Sequence, residues 1–246
     1  MKKNKKNKIY CIGDSHVSVF AGEDWLVPIV PEQRKSLVNH FEIFRLGPVT
    51  AYNFCEETSS TNAKQLFEKI INTIPANSWI VVSAGEIDCR VHLIKQAIRQ
   101  NKSFEEICGI LTDRFIDYLA TIKNRGYNIC LLLPPPTKFK EEDTVEYPTF
   151  GSETERNEIT KCLIQAYTAK CGQYGIPTIG VLNDTVTEDN KTIRKYLWDG
   201  IHYSRIVLPQ LILQLREITG YSLRYPLMWL IKHEMRAIKR FLTKFI

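Results

Sequence analysis

Three residues in this chain have the types and spacing for nucleophilic chemistry. Ser15 ends the run Ile12-Gly13-Asp14-Ser15, and the segment Asp199-Gly200-Ile201-His202 lies near the other end of the chain. A serine hydroxyl is a poor nucleophile at neutral pH. It needs a histidine base within hydrogen-bond reach and a group that orients that histidine. A carboxylate three residues before a histidine can fold back onto Nδ1 and leave Nε2 facing the serine, and Gly200 eases the tight turn. Acyl transfer also needs donors for the developing oxyanion. The backbone N–H of Ser15 is one candidate. The N–H of Gly47 is another, because glycine lets a backbone approach a ligand closely.

Such residues work only if the fold brings them to one edge. Short apolar runs over residues 9–12, 41–46, 79–84, 128–133 and 178–182 read as strands, and helical spacing marks 61–74, 104–123, 153–174 and 206–218. Strands and helices alternate, and the strands are nearly continuous in apolar residues. That pattern predicts an α/β fold with a mostly parallel sheet covered on both faces. Ligands in such sheets bind beyond the carboxyl ends of the strands. Asp14-Ser15 follows the first strand, Gly47 the second and Gly85 to Asp88 the third, so one shared edge is expected. Residues 134–151 read as a surface loop.

The order Gly13-Asp14-Ser15, then Gly47, then Gly85-Glu86-Ile87-Asp88, then Asp199-Gly200-Ile201-His202 resembles the SGNH (GDSL-type) hydrolase superfamily over most of residues 9–220. The resemblance implies a flavodoxin-like, three-layer α/β/α sandwich. It implies an activity among esterases, lipases, thioesterases, carbohydrate deacetylases and O-acyltransferases, with no metal or organic cofactor. By the same resemblance Ser15 is the nucleophile and first oxyanion donor, Gly47 the second donor, His202 the base and Asp199 its orienting acid. The superfamily's third block usually reads Gly-x-Asn-Asp, with the Asn side chain as a third donor. Here that position is Ile87, which cannot donate, and losing one such donor typically costs about a hundredfold or more in rate. Arg90, His16 and His92 are near in sequence and could reach in; Arg90 would bring a permanent charge suited to an oxyanion or an anionic substrate.

Other polar residues near these motifs have competing readings. Asp14 and Asp88 read as anchors for loop N–H groups. Glu86 is either a substrate contact or a solvated carboxylate. Arg90 is either functional or paired with an acidic neighbour. His16 either lines the pocket or packs beside it, and Trp198 and Tyr203 either stack on a sugar, cap the base or belong to the core.

Composition narrows the setting. Hydrophobic residues make up 44% and charged residues 24%, which is ordinary for a globular chain. The net charge of +6 is unevenly placed. Residues 1–8 carry five lysines and residues 221–246 a net of +5, so the central part has 22 Lys and Arg against 26 Asp and Glu. A mildly acidic centre argues against nucleic acid as a partner. No apolar run spans a bilayer, and the apolar residues after the lysines are too few for a signal peptide. The seven cysteines have no Cys-x-x-Cys spacing and read as reduced thiols of a cytoplasmic protein. Three segments are therefore expected: a basic leader at 1–8, the hydrolase-like domain at 9–220, and a basic amphipathic helix within 221–246. That helix, over 227–246, either lies on an anionic membrane surface or docks on the domain or a second copy. The functional expectation is a serine esterase acting on an O-acylated small molecule or carbohydrate. The alternatives are an O-acyltransferase tailoring a surface polysaccharide, with a sugar hydroxyl in place of water, and a non-catalytic glycan-binding member of the fold.

Overall fold

The sheet forms where short apolar runs end at a glycine or a polar turn. In the computed structural model, which describes residues 8–139 and 147–224, β1 (Ile9–Gly13), β3 (Phe41–Arg45), β4 (Trp79–Ser83), β5 (Asn128–Leu132) and the two-residue β6 (Thr178–Ile179) run parallel. A sixth strand, β2 (Glu32–Lys35), pairs antiparallel with β3, giving the order β2-β3-β1-β4-β5-β6.

Side chains alternate across this sheet with the period of two that strands impose. Ile12, Val82 and Leu131 point to one core, under α2 (Ala63–Ile71), α4 (Phe104–Asn124) and α5 (Glu153–Gln173), which contribute Phe67, Phe115 and Leu163. Cys11, Val81 and Leu132 point to the other. That face is covered by a 3-10 helix (Ser15–Ala21) and by α7 (Leu208–Thr219), through Phe20, Leu208 and Leu211. The result is the expected three-layer α/β/α sandwich. Truncating a residue such as Phe115, fully buried between layers, would cost about 3–5 kcal/mol.

The long helices start where the sequence offers caps. Ser103 with Glu106 and Ser152 with Glu155 form reciprocal capping boxes at α4 and α5. The helix expected over 206–218 opens as a 3-10 turn (Arg205–Val207) before α7. Pro209 sits in the first turn of α7, where its missing N–H costs nothing.

Several elements differ from the sequence reading. β2 has no apolar residue; it is an edge strand held by Glu32, which pairs with Arg45 at 2.8 Å and Arg34 at 2.7 Å. The strand read over 178–182 is shorter, because Leu182 starts the short helix α6 (Leu182–Thr185). Two further helices, α1 (Ala51–Phe54) and α3 (Leu93–Gln100), follow β3 and β4. All seven cysteines are free, with Cys11 and Cys130 buried in β1 and β5. Among the described residues no helix is long and apolar enough to cross a membrane. The leader other than Lys8 and the C-terminal helix expected over 227–246 lie outside the described residues.

Candidate active site

Register places the chemistry. Gly13 pairs with Arg45 on one side and Ser83 on the other. Ser15, Gly47 and Gly85 therefore all stand two residues beyond one line across adjacent parallel strands. Gly13 must be glycine: a Cβ there would lie 2.1 Å from the Ser83 carbonyl oxygen. That close approach lets the Asp14 N–H donate to the same oxygen at 3.0 Å. Asp14 is the N-cap of the 3-10 helix. Its carboxylate accepts the His16 N–H at 3.0 Å and the Ser83 hydroxyl at 2.8 Å, so it is the loop anchor expected.

Ser15 thus sits at the first turn of a helix, at the sheet's carboxyl edge. Its Oγ lies 2.8 Å from Nε2 of His202, although 187 positions separate them in the chain. Nδ1 of His202 lies 2.6 Å from Oδ2 of Asp199. Oδ1 of Asp199 accepts the backbone N–H groups of Ile201 at 2.9 Å and His202 at 2.8 Å. The loop is closed by the bridge between Leu197 and Tyr203 and by the Trp198 N–H donating to the His202 carbonyl at 3.0 Å. Gly200 takes φ 99° at the tip, a conformation that suits glycine. With Nδ1–H donated to the carboxylate, Nε2 carries the lone pair that accepts the Ser15 hydroxyl. Burial pushes the Asp199 carboxyl up, but the hydrogen bond and charge of His202 and the two N–H donors outweigh it and hold the group at about 2.

The backbone N–H groups of Ser15 and Gly47 donate to no group among the described residues, and Gly47 has φ 124°. Ile87 brings no donor, and neither Arg90 nor Glu86 replaces it. Arg90 Nε lies 2.6 Å from Glu86 Oε1, both side chains being buried. Arg90 Nη1 donates to the Pro148 carbonyl at 2.5 Å, and the guanidinium lies 6.0 Å from the Tyr147 ring centroid. Of the two readings for Arg90, the ion pair is the one formed. Glu86 is neither a solvated carboxylate nor a lining residue of the Ser15 cleft. Burial raises its pKa, but Arg90 and then His16 draw it down to about 2.

Asp88 accepts the N–H of Ala51 at 2.7 Å and of Tyr52 at 3.4 Å, tying the turn after β4 to α1. Burial pushes its pKa up to about 7. His92 does not approach Ser15. With Asp88 and Tyr52 it lines a separate cavity of about 500 Å³ whose apolar floor, Leu93, Ile107 and Leu111, belongs to the opposite core. His16 is buried against His202, with ring centroids 5.2 Å apart.

A narrow cleft lies over Ser15 and His202, with Trp25 and Trp198 among its lining residues. Trp198 stacks on the His202 ring at 6.1 Å, and Tyr147 meets it edge-on at 6.0 Å. Sequence reasoning missed Trp25 and Tyr147. Both lie in irregular segments with no motif, so only the fold brings them to the site. Among the described residues no group of three His, Cys, Asp or Glu is placed to hold a metal ion.

No family model and no curated protein matches the sequence. Solved structures do match. A carbohydrate acetylesterase from Sinorhizobium meliloti is 15% identical, with 88% of this chain and 100% of that chain covered at a TM-score of 0.53. An aryl esterase from M. smegmatis in an inhibitor-bound form is 15% identical, with 89% and 100% covered at a TM-score of 0.52. A lipolytic protein of the G-D-S-L family from Desulfitobacterium hafniense is 13% identical, with 87% and 99% covered at a TM-score of 0.50. At these identities the likeness is one of fold: this chain has the three-layer fold of the SGNH hydrolases.

Proposed function

We propose that this chain is a serine esterase that removes an acyl group from an O-acylated small molecule or carbohydrate. The observation that carries the reading is the unbroken line from Ser15 Oγ to His202 Nε2 at 2.8 Å and from His202 Nδ1 to Asp199 at 2.6 Å. Ser15 Oγ attacks the acyl carbonyl while His202 Nε2 takes its proton. The carbonyl oxygen gains charge, and the N–H groups of Ser15 and Gly47 receive it. His202 then returns the proton to the departing alcohol, leaving an acyl-serine. Water enters, His202 takes its proton, and the acid leaves as Ser15 is restored. Asp199 stabilises the imidazolium at each stage without taking its proton.

The carbohydrate part of the reading is supported by the cleft. Trp25 and Trp198 line it and are 53% and 37% exposed. Exposed indole faces beside polar groups suit a sugar ring, which is apolar on its faces and polar at its edge.

A fluorophosphonate probe tests the reading, followed by a panel of acetylated sugars and aryl esters with and without added sugar acceptors. Labelling and hydrolysis in the native protein, both abolished by Ser15→Ala, are the expected result. An unlabelled Ser15 with no turnover of any ester would overturn it, in favour of a glycan-binding protein. Acyl transfer to an added sugar in preference to water would reassign it as an O-acyltransferase.

A further inference from the structure

Val30 stands beside the donor Gly47, and no step above uses it. A Cβ built on Gly47 would lie 3.6 Å from Cγ2 of Val30 and 3.8 Å from its Cβ. Among the described residues no other group, chain neighbours aside, comes within 4 Å of that point. The space next to Gly47 is therefore bounded by one branched apolar side chain. Val30 is 39% exposed, and Ile29 and Trp25 in the same short segment are 75% and 53% exposed. Apolar side chains gathered in water at a reactive edge mark a surface that an apolar group of a ligand can cover.

The segment that carries Val30 has no helix or strand of its own, so side chains must hold it. Arg45, buried at the end of β3 and two residues before Gly47, donates through Nη2 to the carbonyls of Val27 and, at 3.4 Å, of Ile29. Its Nε lies 2.8 Å from Oε2 of Glu32. Arg34 Nε lies 2.7 Å from Oε1 of the same carboxylate, and Arg34 Nη2 donates to the Trp25 carbonyl at 3.3 Å. Three carbonyls and one carboxylate thus tie residues 25–32 to β3 and its neighbour β2. Moving the segment would leave a buried guanidinium without its partners, which is costly. Val30 is held in register with Gly47 by the strand that delivers Gly47.

The chemistry decides which part of an ester meets Val30. The carbonyl oxygen goes to the N–H groups of Ser15 and Gly47. The departing oxygen faces Nε2 of His202, which returns its proton. The rest of the acyl group is left the side away from His202, starting next to Gly47. Building on the esterase reading, we propose that Val30 is a specificity-determining residue that closes the acyl side of the site, so that an acetyl group is accepted and longer linear acyl chains are refused. An acetyl methyl ends beside Gly47. A longer chain has to pass Cγ2 of Val30, on a segment that Arg45 and Glu32 keep from swinging aside.

The test measures kcat/KM for p-nitrophenyl acetate, butyrate and hexanoate in the full-length native protein, in Val30→Ala and in Ile29→Ala. The native protein should prefer acetate to hexanoate by about tenfold or more, and Val30→Ala should raise the hexanoate-to-acetate ratio by about tenfold. Ile29→Ala should keep the native ratio, because its side chain faces solvent. Neither substitution opens a buried cavity, so both variants should fold. A native protein that turns over hexanoate as readily as acetate would overturn the proposal, and so would an unchanged ratio in Val30→Ala. An equal rise in Ile29→Ala would overturn it too, since loosening of the segment would then be the cause. In each of these cases Ser15-dependent hydrolysis of acetate persists and the esterase reading stands. Absence of Ser15-dependent hydrolysis of all three esters would overturn both.

Discussion

One carboxylate, Asp199, both folds the loop that carries His202 and orients its ring. Oδ2 lies 2.6 Å from Nδ1, while Oδ1 holds the His202 backbone N–H at 2.8 Å. The two roles can be separated. Asp199→Asn keeps an oxygen for the backbone donors but presents its amide nitrogen to Nδ1. That favours the tautomer with the proton on Nε2, the wrong form for a base. A loss of about 10³–10⁴ in kcat is expected, with a modest fall in the unfolding midpoint from the lost carboxylate charge. Asp199→Ala should lose as much activity and more stability, because the backbone donors lose their acceptor as well. Steady-state kinetics with thermal denaturation of both variants checks this; an active Asp199→Asn would contradict the role.

Ile87 offers the opposite kind of change. It stands two residues beyond Gly85, is only partly buried, and adds no donor to the N–H pair from Ser15 and Gly47. Ile87→Asn places an amide donor at that position. If the amide reaches the oxyanion, kcat should rise by about 10–100-fold, somewhat below the cost of deleting such a donor from a site evolved around it. KM should change little, because the gain falls on the transition state. Kinetics on one acetyl ester decides it. A folded variant with unchanged kcat would mean that position 87 does not face the reacting oxygen.

Most of the site was legible in the sequence, and the reason is geometric. Gly13, Ser15, Gly47 and the Asp199–His202 segment belong to short stretches whose local backbone dictates their chemistry. Strand ends in a parallel sheet share one edge, so motifs far apart in the chain converge without further information. The partners of Glu86 and Arg90 were not legible. An i,i+4 pair on a helix is usually solvated, whereas here residues 147–150 pack over Arg90 and His16 faces Glu86. β2 escaped for a similar reason: the sequence Glu-Gln-Arg-Lys has no strand pattern, and its pairing depends on Arg45 reaching Glu32 from β3. Trp25 and Tyr147 carry no local signal at all, since their roles arise from where irregular chain passes over His202.

The buried Glu86–Arg90 pair makes a stability prediction. Both side chains are about 95% buried, and Nε lies 2.6 Å from Oε1. Arg90→Met leaves a buried carboxylate without its counter-ion and frees the Pro148 carbonyl. A loss of about 3–5 kcal/mol is expected. The double variant Glu86→Leu with Arg90→Met should recover a large part of that loss, because the uncompensated charge is gone. Urea denaturation of the two single variants and the double variant closes the cycle. Additive losses would show that the pair is not coupled.

Asp88 predicts a fall in stability on the alkaline side of the optimum. Its carboxyl rises by burial to about 7 in the folded protein, against about 4 in an unfolded chain. A raised folded value contributes stability that is complete below about pH 4 and is lost as pH climbs through 7. Glu86 and Asp199, both drawn down to about 2, act in the other direction. Their contribution is complete above the ordinary carboxylate range and disappears as pH falls toward 2. Stability should therefore peak in mildly acidic solution. Asp88→Asn keeps an oxygen for the Ala51 N–H, loses the long bond from Tyr52 and cannot ionise, so it should remove the decline toward neutral pH at a small cost that does not vary with pH. Urea midpoints of both proteins from about pH 3 to 8 provide the measurement. Curves that stay parallel across that range would mean that Asp88 does not titrate there.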